Sequence, residues 1–128
     1  MLNSRSIDDL SPNGRAWFVR FATAVGQKLD LYRGIDWEVC CTRRDREYQN
    51  KLYEQGRTTP GKIVTYTRDS RHLDGEAWDF FILDHGKAVW DSPLYEKIAK
   101  VASDIGLMAG YFWKHSDPGH IETPKIMG

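Results

Sequence analysis

The sequence predicts an α+β domain in which a small antiparallel sheet packs with about three helices. Three observations carry that expectation. Apolar residues recur at helical spacing at Trp17, Phe18, Phe21, Val25 and Leu29. They alternate with polar ones at Ile35, Trp37 and Val39. A Ser92-Pro93 pair then precedes a second helical stripe of Leu94, Ile98, Val101, Ala102 and Ile105. With 128 residues, 41% hydrophobic and 12% aromatic, the chain has material for one core. A single domain over residues 1–128 is expected, and disordered or low-complexity classes are excluded.

Taken in order, Ser11 or Asn13 caps a helix that begins near Pro12 and turns its apolar stripe to a core. Arg33-Gly34 marks its exit. Ile35 to Cys40 follows as a strand with one wet face, since Asp36, Glu38 and Cys40 lie between the apolar residues. Thr42 ends the strand and is placed to cap a second helix, Asp45 to Gln55, with Tyr48, Leu52 and Tyr53 on its buried side and Gly56 as its stop. A loop around Pro60-Gly61 leads into a β-prone run, Ile63 to Thr67. Ala77 to Leu83 and Lys87 to Trp90 read as a hairpin around Asp84-His85-Gly86. After the third helix, which runs to Gly106, Tyr111 to Trp113 and His120 to Glu122 read as two short strands separated by a loop.

Basic and acidic side chains both number 18, a formal net charge of zero, which excludes a globally basic nucleic-acid coat and an acidic tail protein. The balance conceals a segregation. Residues 42–71 hold eight basic and four acidic side chains, and residues 72–128 hold five basic and nine acidic. Acids are interleaved in the basic stretch, and no nucleic-acid partner is expected. No apolar run is long enough for a membrane helix, and MLNSRSIDDLSP lacks the apolar core of a signal peptide. Synthesis in the cytosol without membrane insertion is therefore expected. Cys40 and Cys41 are adjacent, match neither redox nor zinc-ligand spacing, and read as reduced thiols on opposite faces of a strand.

All four histidines lie between positions 72 and 120. His72 and Asp79 flank Gly75, with Asp79 on an expected strand, so a loop and the strand it feeds can aim both at one point. His120 would join them from the far strand. Two imidazoles and a carboxylate leave a fourth tetrahedral position open, the pattern of catalytic zinc. Asp117, three residues before His120 across Pro118-Gly119, is placed to serve as general base and then acid. From spacing alone, His72 reads rather as a satisfied loop histidine. Asp79 does not read so blandly, because a carboxylate embedded in AWDFFIL is costly unless paired or metal-bound.

These residues carry a resemblance. Ser70 to Asp79, SRHLDGEAWD, resembles the SxHxxGxAxD signature of the D-alanyl-D-alanine carboxypeptidase and L-alanyl-D-glutamate peptidase family of zinc peptidases. Asp117 to Glu122, DPGHIE, resembles that family's second metal motif. Arg44 to Thr65 and the LNSRSIDDLSP opening are similar to its endopeptidase branch, which includes bacteriophage endolysins. The resemblance implies a fold shared with hedgehog signalling domains, with a zinc site at the sheet. It makes His72, Asp79 and His120 the Zn2+ ligands and Asp117 the catalytic acid/base. It points Arg44 at the substrate or the developing oxyanion, with Arg43 as the competing arginine. Ser70 comes beside the site, either to bind substrate or to hold its loop.

The implied activity is hydrolysis of the L-alanyl-D-glutamate bond in peptidoglycan stem peptides, by a monomeric phage or prophage endolysin that reaches the wall at lysis. A D-Ala-D-Ala carboxypeptidase or dipeptidase on the same scaffold is one alternative, and a non-catalytic zinc-binding wall module is the other. Elementary chemistry supports the roles. A metal and one carboxylate can polarise an amide, activate water and protonate the leaving amine, and an arginine fork can neutralise an oxyanion or a substrate carboxylate. Glu122 is placed to orient a histidine ligand. His115 reads as an exposed loop residue, a substrate contact or a catalytic assistant. His85 is expected in a solvated turn, Arg57 as a support for the following loop, and Asp74 and Glu76 as solvated loop acids. Trp78, Trp90 and Trp113 are expected in the core and the groove wall rather than as a sugar-stacking platform.

Overall fold

The architecture was obtained as a computed structural model, which describes residues 1–125. Its first helix, α1 (Pro12–Lys28), starts where the sequence places it. Ser11 accepts a hydrogen bond from the Gly14 amide and Pro12 occupies the first turn, where a missing N–H is harmless. Phe21, Ala24 and Val25 are buried on its inner face. Gly14 is buried too, because the loop after His72 crosses there: a Cβ on Gly14 would lie 2.2 Å from the Gly75 carbonyl. That carbonyl also accepts from the Ser11 amide, which docks the start of α1 onto the loop.

Strands β1 (Ile35–Cys41) and β2 (Ala77–Asp84) pair antiparallel, Ile35 opposite Asp84 and Val39 opposite Phe80, with a bulge before Cys41 meets Asp79. β2 turns through His85 and Gly86 into β3 (Lys87–Val89). Both turn residues have positive φ, the geometry that suits a two-residue hairpin. Helix α3 (Leu94–Asp104) follows, its first amide bonded to the Ser92 hydroxyl. β4 (Met108–Ala109) and β5 (His120–Glu122) complete a sheet of order β1-β2-β5-β4. β3 and β5 share one edge of β2, and between them Phe80 donates to the Gly119 carbonyl at 2.9 Å.

Alternation along β2 decides the two faces of the sheet. Trp78, Phe80 and Ile82 point inward and are almost wholly buried against Phe21, Val25, Tyr95, Ile98 and Ile121, with Phe18 and Trp37 packed on the cluster. Tyr95 ties the layers together by accepting from the Ile82 amide and donating to the Val89 carbonyl. Asp79 therefore projects from the other face. Its costly position in an apolar run is resolved by alternation.

Four expectations need correction. Helix α2 (Arg46–Glu54) is capped by Asp45, which accepts from the Tyr48 amide; Thr42 is fully buried and donates to the Ser6 carbonyl instead. Its one buried residue is Gln49, not Tyr48, Leu52 or Tyr53, because α2 walls the site cavity through Leu52 rather than covering the core. Ile63 to Thr67 form no strand: β propensity needs a free sheet edge, and this segment is held by side chains, Gln49 donating to Thr67 and Arg57 to Thr65. Tyr111 to Trp113 are likewise no strand, for the chain makes a short 3-10 turn at Gly110–Phe112 after β4.

Candidate active site

Asp79 and His120 are direct cross-strand partners on the outer face of the sheet, which sets their side chains together. His120 Nδ1 lies 2.9 Å from Asp79 Oδ1. His72 enters from a 3-10 turn, Arg71–Asp74, whose cap is the Ser70 hydroxyl accepting from the His72 amide and whose exit is Gly75 at φ 71°. That left-handed φ suits glycine and brings His72 Nε2 to 3.2 Å from the same Asp79 oxygen. A carboxylate oxygen of Asp117 completes a group with Asp79 and His120 in which the donor atoms lie within 4.8 Å of one another.

The outer nitrogens of both imidazoles are already committed. His72 Nδ1 donates to the Thr42 carbonyl at 2.7 Å, and His120 Nε2 donates to Glu122 at 2.9 Å. The nitrogens left facing inward are His72 Nε2 and His120 Nδ1, and they converge on Asp79 with the orientation that metal-binding histidines need. In the metal-free arrangement every ring nitrogen meets an acceptor. Burial works to lower the affinity of His72 for its proton, but the Asp79 charge and hydrogen bond outweigh it and push the pKa up to about 10. For His120 burial is likewise outweighed, by the bonds to Asp79 and Glu122, and the pKa rises to about 9. Asp79 is held well below the usual carboxylate range: burial opposes this, and the two histidines prevail. A cation at this point would replace two protons with one ion. The donor set of two imidazoles and a carboxylate fits zinc.

The bulge in β1 brings the cysteines here as well. Cys41 Sγ lies 3.7 Å from His72 Nδ1 and falls within a second group of possible ligands, Cys41, His72 and Asp79. Because Nδ1 is the nitrogen committed to Thr42, the thiol approaches the outer edge of the ring. Cys40 lines a cavity beside Asp79, where burial and then the Asp79 charge push its thiol up to about 12, so it stays protonated. Both cysteines are free.

Around this centre the arginines separate. Arg44 sends Nη2 to Asp79 Oδ2 at 3.3 Å and Nη1 to Gln49 at 3.1 Å, while Arg43 turns away to the Asp74 carbonyl. Gln49 in turn donates to the Thr67 carbonyl at 2.7 Å, so one buried amide joins Arg44 to the loop over the site. Asp117 sits at the lip: its amide donates to Gly110 and its carbonyl accepts from the His120 amide, which closes the turn between them. The residue is exposed at the cleft mouth, yet its carboxyl is surrounded, and burial followed by the Asp79 charge raises its pKa.

Ser70 lines none of the three cavities that meet here. His115 is exposed and stacks on Tyr66 at 4.0 Å across the cleft, and His85 sits in the hairpin turn. Arg57 supports the loop by donating to the Tyr53 and Thr65 carbonyls. Glu76 is not the solvated acid expected: it accepts from Ser11, Asn13 and Thr123. Sequence reasoning also passed over Arg71, which reaches Glu122 at 3.6 Å and bonds both oxygens of Thr123. Its position inside SRH, next to His72, was the available signal.

No family model matches the chain. It is similar to the peptidoglycan L-alanyl-D-glutamate endopeptidase CwlK of Bacillus subtilis (strain 168), with 33% identity over 103 residues, 70% of this chain and 62% of that protein. The chain thus spans less than two thirds of that relative's length. The solved structure of the Serratia marcescens L-Ala D-Glu endopeptidase ChiX shares its fold, with a TM-score of 0.66 at 23% identity over 96% of this chain and 89% of the other.

Proposed function

We propose that this chain, which is a homologue of the L-alanyl-D-glutamate peptidases, hydrolyses the L-alanyl-D-glutamate bond of peptidoglycan stem peptides as a zinc enzyme. The observation that carries the reading is the convergence of His72 Nε2 and His120 Nδ1 on one oxygen of Asp79, with the Asp117 carboxyl beside them. His72, Asp79 and His120 would hold the ion. Zinc bound there supplies a Lewis acid that polarises the amide carbonyl and activates water.

The chain's own residues supply the rest. Asp117, with its raised pKa, takes a proton from the attacking water and returns it to the leaving amine nitrogen. Arg44, fixed by Gln49, keeps a guanidinium next to the reacting carbonyl, where it stabilises the oxyanion. Glu122 and Thr42 hold the histidines in register through their outer nitrogens. Ser70 holds the His72 turn through the His72 amide rather than reaching substrate.

The resemblance of Arg44 to Thr65 and of the LNSRSIDDLSP opening to the endolysin branch supports a phage or prophage lysis enzyme acting on the wall after release. No helix among the described residues is long and apolar enough to cross a membrane. Mass spectrometry of muropeptides after digestion tests the bond: release of the stem from D-glutamate onward is expected, and release of free D-alanine alone overturns it. Purified protein is expected to carry about one zinc per chain and to clear wall suspensions until the metal is chelated.

A further inference from the structure

The cavities that meet at the site differ in charge. The central one is bounded by Arg44, Gln55, His72, Asp79 and His120. From Asp117 a wide arm of about 600 Å³ runs between the 63–67 and 113–117 loops, and Lys114 stands exposed in it. A separate arm of about 240 Å³ leads from Asp79 and Asp117 to Phe80, Tyr95 and Trp90. Apart from the two aspartates its lining is uncharged. Glu38, paired with Phe81 across β1 and β2, and Asp91, next to Trp90, are exposed acids, while the Arg5 charge reaches Cys40 in the wall of the arm.

The stem peptide has the same polarity. Its alanine is joined through a lactyl group to an uncharged sugar of the glycan strand, whereas its carboxylates lie on the glutamate side of the scissile bond. One extended residue spans roughly 3.3–3.6 Å, so the sugar lies only one residue from the reacting amide. Trp90 lines the uncharged arm while remaining 69% exposed, an unusual state for so large an apolar surface in the wall of a cleft. Phe81 lies behind it, ring centroids 5.9 Å apart at 34°, and steadies the indole. A broad indole with little rotamer freedom offers the apolar face on which a pyranose ring can rest.

We propose that Trp90 is a saccharide subsite. It stacks the glycan-strand sugar that bears the stem peptide, and the Lys114 arm takes the acidic end. This rests on the bond assigned above and adds that the enzyme reads the sugar as well as the peptide.

The test compares kcat/KM for two substrates, a disaccharide-tripeptide and the same tripeptide N-acetylated without sugar. The wild-type enzyme is expected to favour the first by about ten-fold, mainly through KM. W90A is expected to bring the ratio near one, and W90F to keep part of it. K114M is expected to abolish the preference for D-glutamate over D-isoglutamine in the tripeptide. Equal cleavage of both substrates by the wild type, or an unchanged ratio in W90A, overturns the subsite and leaves the bond assignment intact. Failure of the wild type to cut either substrate at the L-alanyl-D-glutamate bond overturns the bond assignment itself, and the subsite with it.

Discussion

Glu122 Oε1 lies 2.9 Å from His120 Nε2, on the opposite side of the imidazole from Asp79, and Arg71 stands 3.6 Å from its other oxygen. The carboxylate is held below its usual range: burial opposes this, and the bond from His120 and the charge beside it prevail. Arg71 is itself anchored on Thr123, and Thr123 on Glu76, which reaches the start of α1 through Ser11 and Asn13. The orientation of the His120 ring is thus tied to the docking of a helix.

Glu122→Ala is expected to weaken zinc binding by roughly 10–100-fold in a protein that still folds, because the ring loses the partner that fixes its tautomer. Competition with a chromogenic chelator measures it. Wild-type affinity in a folded variant would show that Glu122 serves packing alone.

Asp117→Asn is expected to keep the metal and the fold while kcat drops by about 10²–10⁴-fold, since a general acid/base is lost and the ligands are not. Zinc content and muropeptide turnover are read on the same sample. Undiminished turnover would remove Asp117 from the proton transfer.

Gln49→Leu leaves the Thr67 carbonyl and Arg44 without their buried partner. A loss of about 1–3 kcal/mol in urea unfolding is expected in all, since Arg44 keeps its bond to Asp79 and the Thr67 carbonyl still accepts from Thr65. Turnover should fall along with stability as Arg44 and the 63–67 loop loosen together.

Gly119→Ala is expected to cost about 1–3 kcal/mol by overpacking, because the new Cβ would lie 2.2 Å from the Phe80 carbonyl. The displaced strand carries Asp79 on one side and His120 follows the mutated residue, so zinc affinity should fall with stability. Thermal melts with and without zinc separate the two effects.

Glu76 supplies a pH dependence away from the His72–Asp79–His120 cluster. Burial works to raise its pKa, but the bonds from Ser11, Thr123 and Asn13 and the Arg71 charge outweigh it and hold the carboxyl below the usual range. A depressed folded-state pKa contributes stability that is present above the unfolded value and lost as pH falls through the folded one. Glu76→Gln should therefore melt below the wild type at pH 7, and the gap should close in acid below the ordinary glutamate pKa, about 4.3. A gap that persists at the lowest pH would mean that the charge of Glu76 contributes nothing.

What was legible in the sequence was what depends on near neighbours. The start of α1 at Ser11-Pro12, the hairpin at His85-Gly86 and the alternation of β2 each follow from local chemistry, and alternation alone separates Asp79 from Trp78 and Phe80. The meeting of His72, Asp79 and His120 was legible because SRHLDGEAWD and DPGHIE resemble family motifs. Gln49 was not legible: its burial depends on Arg44 and Thr67 arriving from elsewhere, and a polar helix gives no hydropathic sign of it. The failed strand at Ile63 to Thr67 has the same origin, since β-prone residues cannot announce whether a sheet edge will be in reach. Glu76 was misread because its partners come from α1 and β5.

The divided edge of β2 has a consequence for access. Had one long strand run beside all eight residues of β2, its side chains would have roofed the outer face next to Asp79. Two short neighbours, with a glycine pressed between them against Phe80, leave an interval in that roof where the Trp90 arm begins. The doorway is therefore built into the strand order itself.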